Sequence, residues 1–448
     1  MRKLLGKTFL KKVFPKPLSK NFNLRKERFL SVIKKIFFGM LAAITVLASF
    51  TGCSGDVSEE TVSGNAAETT VNPYREDREV REDYKSIEIS GEHDVRILFV
   101  NAGRADAILI EADGVHYLID TGEETSVPKI MAALDYFEVE RLEGVFLTHS
   151  NNDHISGLPM ISDYWEIGAC YTAAVATEMT KMQTVIGQAE MEQTLLEPGQ
   201  VIQISDGLYF EVLGPIRYNP LDDNDNSLVL RMTVNGKTVL FAGDMQHEEE
   251  KTLMRAGFDL SCDILKVGNH GHKDATSVAF MEETSPDYAI ITTDRSVDEN
   301  TAHKSIRGGL ADVGAEVLIT DEYDLGILCE IAYDGAITME NVTWGHVSDD
   351  VEFVSISKDE QIAVLRNTGS SDLAVARWFI VSGRGGELFL FPDGAVIPAG
   401  GEITVACNDY KGDADYKWGD AKVWNKNKDD KGILIDRHGN VIDEMLSE

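Results

Sequence analysis

Three side chains able to bind a metal fall within six residues, in the run His149-Ser-Asn-Asn-Asp153-His154, directly after the apolar segment GVFLT. Imidazoles and carboxylates are the usual protein ligands of divalent transition ions. Further along, TVLFAG ends in Asp244, DILKVGN ends in His270-Gly-His272, and IITTD is followed by His303. Each lies where an apolar run gives way to a polar loop. A ligand at the end of a buried strand is held rigidly while its head group faces a loop-lined cleft, as a preorganised metal site requires. A lone histidine at a strand end is more often a capping or surface group, so His272 and His303 weigh less than the triple of His149, Asp153 and His154.

The elements that must position these groups are short apolar runs rich in Val, Ile, Leu and Phe. They include VRILFV (95–100), AILIEA (107–112), YFEVLG (209–214), SLVLRMTV (227–234), YAIITTD (288–294) and EVLITD (316–321). Runs of this length and composition predict strands of a buried sheet. Helical spacing appears in VPKIMAALDYF (127–137), EEEKTLMRAGF (248–258) and HKSIRGGLADVG (303–314). Sheets with interspersed helices predict a layered α/β domain. The DDNDN run (222–226) lacks the glycine and distal glutamate of a calcium loop and reads as a turn.

Taken in order, the segments resemble the metallo-β-lactamase fold, in the branch found in DNA-uptake competence proteins. FVNAGRADAILIEADGVHYLIDTG resembles that branch's opening, and VFLTHSNNDHISGLP resembles its HxHxDH loop. NDNSLVL (224–230), LFAGD (240–244), LKVGNHG (265–271), His303 and the stretch from Tyr323 to Gly335 resemble later motifs. The resemblance covers about residues 92–340 and implies an αββα sandwich. Three positions depart from it: Asn151 and Asn269 replace histidines, and Arg104 replaces a glutamine. Asparagine is a much poorer ligand than imidazole. What remains implies at most one tightly held divalent ion, zinc first with Mn or Fe as alternatives, on Asp153, His154, Asp244 and His270. His149 would join them or stand behind them, and His272 could stand in for the lost imidazole. Asp120 in LIDTG would orient ligand loops through hydrogen bonds. The ion would bring the pKa of a water to about 7 for attack on a polarised bond. Asp153 sits at that chemistry, and His303 and Lys273 would contact a phosphoryl oxygen or help the leaving group.

From about Val351 the pattern changes to VEFVSI, QIAVLRN, WFIVSG, ELFLFP and EITVAC, separated by Gly/Pro/Asp clusters. This predicts a separate antiparallel β-sandwich over 350–448, with Trp378 in its core. The wording resembles an immunoglobulin-like lamin-tail domain, whose ligand is unknown.

The chain's 448 residues exceed one hydrophobic core. Its formal charge is −33, yet residues 1–52 carry a local excess of basic groups. So acidic a remainder excludes broad charge-driven binding of long nucleic acid. The basic flank, the apolar run 36–52 and then Cys53 resemble a bacterial lipoprotein signal, which implies a lipid on Cys53, a membrane partner and a location outside the cytoplasm. Residues 53–90 read as a flexible acidic tether, and 91–345 as the metallo-β-lactamase-like domain. The unpaired spacing of Cys170, Cys262, Cys329 and Cys407 reads as buried thiols. The resulting expectation is a surface-anchored hydrolase acting on phosphodiesters, with a nucleotide-sized substrate as well suited as DNA. The alternative is a catalytically decayed binding protein of the same fold.

Overall fold

The structure, a computed structural model, describes residues 93–448 apart from 177, 178, 206, 207 and 421. The expected signal segment, Cys53 and the acidic tether lie outside these residues. Among the described residues no helix is long and apolar enough to cross a membrane.

Strands β1 (Val95–Val100), β2 (Ile108–Ala112), β3 (Val115–Ile119), β4 (Arg141–Leu147), β5 (Glu166–Ala173) and β6 (Gln193–Leu196) pair in that order. A second sheet runs β7 (Val201–Ser205), β8 (Leu208–Gly214), β9 (Val229–Val234), β10 (Lys237–Phe241), β11 (Ile264–Lys266), β12 (Tyr288–Ile291) and β13 (Glu316–Ile319). The chain then returns to the first sheet, adding β14 (Gly326–Ile331) and β15 (Ile337–Asn341) beside β1. Both sheets begin with antiparallel pairs and end in parallel ones: β3 to β6 in the first, β10 to β13 in the second.

Alternation along β1 shows the layering. Ile97 and Phe99 enter the cluster between the sheets, with Phe210, Met232 and Phe241. Leu98 and Val100 enter a second cluster with helix α1 (Val127–Tyr136), the short α2 (Asn152–Ile155), α3 (Leu158–Tyr164) and α4 (Met179–Gln188). The far face of the second sheet packs on α5 (His247–Ala256), α6 (Val278–Thr284) and α7 (Lys304–Asp312). The period-2 pattern thus buries both faces of each sheet and builds the expected αββα sandwich.

Beyond Val351, ten further strands form a sheet of Val351–Ser357, Ile362–Asn367, Glu402–Cys407 and Tyr416–Trp418, and another of Leu388–Leu390, Phe379–Ser382, Lys431–Ile435 and Val441–Leu446, with a two-strand ladder beside them. One apolar cluster joins them, holding Trp378, Trp418 and Trp424. The module has a core of its own and also packs on the preceding domain. Trp378 and Ile380 point into its own core, while Phe379 and Val381 join the cluster under α1. Arg377 pairs with Asp135 at 2.9 Å and lies 4.8 Å over the Trp165 ring, and Trp344 stacks on His438 at 3.7 Å. The unbroken apolar run WFIV is the physical reason: alternate residues face different partners, so neither side of the strand is wet.

All four described cysteines are free and buried, and burial raises each thiol pKa.

Candidate metal centre

The functional side chains gather where parallel strands end. β4 delivers His149 through Thr148, and the loop turns into α2, which carries Asp153 and His154. β10 leads through Gly243 to Asp244, and β11 leads to His270. These turns are tight. Gly157 follows α2 so closely that a Cβ there would lie 2.0 Å from the Thr121 carbonyl oxygen. Asn269 and His270 both adopt left-handed backbone, at φ 44° and 50°. Non-glycine residues seldom do so without support, and such strain concentrates at functional sites. The support comes from Ala302 N, which donates to the His270 carbonyl at 2.8 Å, and from Asn269 N, which donates to Gly243 O.

The donors form a ring. Asp244 Oδ2 lies 3.2 Å from His154 Nε2 and 3.4 Å from His270 Nε2, and His270 Nε2 lies 3.7 Å from Asp153 Oδ2. His149 Nε2 stands further off, 3.9 Å from Asp244 Oδ2. Metal–ligand lengths of about 2.0–2.2 Å place tetrahedral donors about 3.4 Å apart, so the spacing suits one small divalent ion. Orphaned atoms point the same way. His149 Nε2, His154 Nε2, His270 Nε2 and Asp244 Oδ1 are buried without a hydrogen-bond partner. Buried polar atoms are normally satisfied, so three orphaned imidazole nitrogens converging on the Asp244 carboxylate call for a cation.

Hydrogen bonds fix which nitrogen each ring presents. His154 Nδ1 donates to Asp120 Oδ2 at 2.8 Å, and His270 Nδ1 donates to the Thr292 carbonyl at 2.8 Å. Thr148 Oγ1 donates to Asp120 Oδ2, so its lone pairs face His149 Nδ1 at 3.1 Å. Asp120 therefore has the orienting role read for it. The DDNDN turn acts as a bracket, with Asp223 Oδ2 accepting from Ser150 N and Asp225 Oδ1 accepting from Gln246 N.

The electrostatics favour ligation. Burial drives the His149 pKa down to about 4, so that ring is a neutral donor. Burial works against charge on His270, yet Asp244 and Asp106 lift its pKa to about 10. Asp244 and Asp120 likewise hold His154 well above its ordinary value. Burial also works against ionised Asp153 and Asp244, yet neighbouring imidazoles keep both well below the usual carboxylate range. The field that holds protons on two rings holds a divalent cation equally well.

The other expected residues make different contacts. His303 caps α7, its Nδ1 accepting from Ser305 N and lying 2.7 Å from Ser305 Oγ. Lys273 is exposed. His272 does not replace the missing imidazole, because its Nε2 faces Asp298 Oδ2 at 3.6 Å. The two asparagines are engaged in loop contacts: Asn151 donates to Asn224 Oδ1 at 2.7 Å, and Asn269 donates to Asp274 Oδ1 at 3.2 Å. Sequence reasoning passed over Asp106 and Lys266, which pair beneath the ring. Lys266 Nζ also donates to Gly243 O at 3.0 Å, and Thr292 Oγ1 donates to Asp106 Oδ1. A lysine inside the apolar run DILKV and an aspartate just before AILI were the available signals.

Residues 100–292 match the Metallo-beta-lactamase superfamily. The chain is 29% identical over 204 residues to ComE operon protein 3 of Bacillus subtilis, covering 45% of this chain and 26% of that protein. It is 25% identical over 232 residues to Competence protein ComA of Neisseria gonorrhoeae, covering 51% of this chain and 31% of that one. It thus spans about a quarter to a third of the curated relatives' length. Among solved structures, the metallo-beta-lactamase fold protein YhfI of Bacillus subtilis aligns with a TM-score of 0.38 and 15% identity, over 54% of this chain and all of that one. The family match over residues 100–292 gives the middle region of the chain the metallo-β-lactamase fold, and its sequence similarity runs to the competence proteins.

Proposed function

We propose that this chain is a metal-dependent hydrolase of phosphodiesters, held at the outer face of a membrane by a lipid on Cys53. The observation that carries the catalytic part is the donor ring. Steps of 3.2–3.7 Å link His154 to Asp244, Asp244 to His270 and His270 to Asp153, Asp153 and His154 close the ring within 4.8 Å, and three imidazole Nε2 atoms there have no other partner. Similarity to competence proteins supports phosphodiesters over β-lactams as the substrate class. When bound, a divalent ion, zinc by preference, supplies Lewis-acid polarisation and activates water near neutral pH.

The protein's own groups hold this chemistry in place. Asp120 fixes the His154 tautomer, Thr292 fixes His270, and buried Lys266 offsets part of the charge of Asp106 and Asp244. The net charge of −33 favours a small phosphodiester or nucleotide over a long polyanion. The lamin-tail-like module, docked on the helices beside the site, serves as a ligand-contacting or targeting element.

Elemental analysis of the full chain, paired with hydrolysis of bis-p-nitrophenyl phosphate, tests this reading. One divalent ion per chain and turnover are expected, with both lost in Asp153→Ala and His154→Ala. A folded, metal-free protein without turnover overturns it in favour of a decayed binding protein, the reading that Asn151 and Asn269 support. Labelling with a radioactive fatty acid, lost in Cys53→Ser, tests the anchor.

A further inference from the structure

Arginines of this chain that serve structure do so in a recognisable way. Arg295 forks onto Asp321 with two hydrogen bonds, at 2.8 and 2.7 Å, and Arg96 holds Glu111 through Nε and Nη2. Arg104 does not. It follows Gly103 in the turn after β1 and precedes the buried Ala105 and Asp106. Its side chain is 45% exposed at the rim of the donor ring, with Nη2 3.9 Å from Asp153 Oδ2 and Nη1 3.9 Å from Asp298 Oδ2. Both separations exceed hydrogen-bond length, so the guanidinium is attracted to two carboxylates and bonded to neither. Asp298 is itself held from behind, accepting from Asn300 N and Nδ2 through Oδ1, while Oδ2 faces His272 and Arg104.

An uncommitted planar fork beside a metal-binding carboxylate fits paired oxyanion oxygens, which the hydrolase reading identifies as the non-bridging oxygens of a phosphate or phosphodiester. In a chain of net charge −33, an anion needs such a local cation to approach. Asp153 and Asp298 flank the fork, so it accepts one phosphate group and repels a run of them. We propose that Arg104 is the phosphate-recognising residue of this site and selects compact, singly charged phosphodiesters. The proposal rests on the hydrolase reading for its substrate class but not for its binding step.

Calorimetric titration of the full chain with inorganic phosphate, with and without added zinc, reads the binding step directly. Phosphate affinity is expected to fall about tenfold in Arg104→Gln and less in Arg104→Lys, as befits loss of a charge-assisted pair. Metal content should stay unchanged. With bis-p-nitrophenyl phosphate, KM should rise about as much while kcat moves little, the mark of lost substrate binding. No phosphate binding by the parent, or equal binding by all three proteins, overturns the proposal. Arg104-dependent phosphate binding without turnover leaves the proposal standing and removes the hydrolase reading. Turnover with phosphate binding indifferent to Arg104 does the reverse.

Discussion

Gln361 in the C-terminal module and His154 in the metal centre are both buried, at 3% and 0% exposure, and their surroundings are opposite. Gln361 Nε2 donates to the carbonyls of Trp424 and Lys358, and its Oε1 accepts from the amides of Val423 and Trp424. Every hydrogen-bonding valence of that side chain is used. Asn367 and Asp436 behave the same way, each knotting turns of the sandwich. His154 has one nitrogen fixed by Asp120 and the other facing Asp244 without a hydrogen bond. The module also has orphans, the indole nitrogens of Trp378, Trp418 and Trp424 and atoms of Arg377, Glu387 and Ser447, but among the described residues none of these belongs to a cluster of three potential metal ligands. Satisfied buried polarity is a staple, and unsatisfied polarity aimed at one point is a site.

The largest break in this contrast is Asp244→Ala, which removes the carboxylate facing all three imidazoles. Metal content is expected to fall from about one ion per chain to near zero by elemental analysis, with turnover falling to background. Retained metal would place the centre elsewhere.

Glu249 sharpens the boundary between the two kinds of buried group. It is partnered, accepting from Ile216 N, yet burial raises its pKa from 4.5 to about 8. Between those values the folded state binds more protons than the unfolded state, so this group lowers stability as pH rises through the window. The loss is complete above pH 8 and absent below pH 4.5. Each pH unit costs about 1.4 kcal/mol, which sets a ceiling of about 5 kcal/mol. Glu249→Gln keeps an acceptor and removes the charge. Its denaturation midpoint is expected to match the parent at pH 5 and exceed it at pH 9. A constant difference at both values would mean that the carboxylate is not the cause.

Much of this was legible from the residues alone. GVFLTH, LFAGD and LKVGNH announce their strand ends because an apolar run cannot continue into His or Asp without leaving the core. The helices at 127–136, 247–256 and 304–312 follow the expected spacing within two residues at either end. What stayed hidden depends on partners distant in the chain. Lys266 sits inside an apolar run, and its role shows only when Asp106, 160 positions earlier, is seen beside it. His303 also caps a helix through Nδ1, a contact set by Ser305. The docking of the C-terminal module needs α1 and Trp165 to be already in place, and no local pattern encodes that surface.

Gln361→Ala attacks a staple directly. It strands two carbonyls and two amides in a buried turn, so stability is expected to fall by about 2–4 kcal/mol in urea titrations. The folded fraction should keep its metal. Loss of metal at low denaturant would show that the module's docking controls the centre.

The smallest effect is the most discriminating. Asp120→Asn changes no volume and keeps Oδ1 as the acceptor for Thr148 N at 2.8 Å. Its new amide, however, offers a donor to His154 Nδ1, which must then give up its own proton and become an acceptor. The ring's proton moves to Nε2, the atom that faces Asp244. A ligand lone pair is lost although no ligand is mutated, and metal affinity should drop about 10–100-fold in a competition titration with a chromophoric chelator. Stability should change little, because the substitution also removes a buried carboxylate whose pKa burial already raises. The pair of variants then separates the two roles: Gln361→Ala costs folding and spares the metal, and Asp120→Asn does the opposite. If Asp120→Asn instead lowered stability and left affinity intact, Asp120 would be a staple like Gln361, and the orphaned nitrogen of His154 would need another explanation.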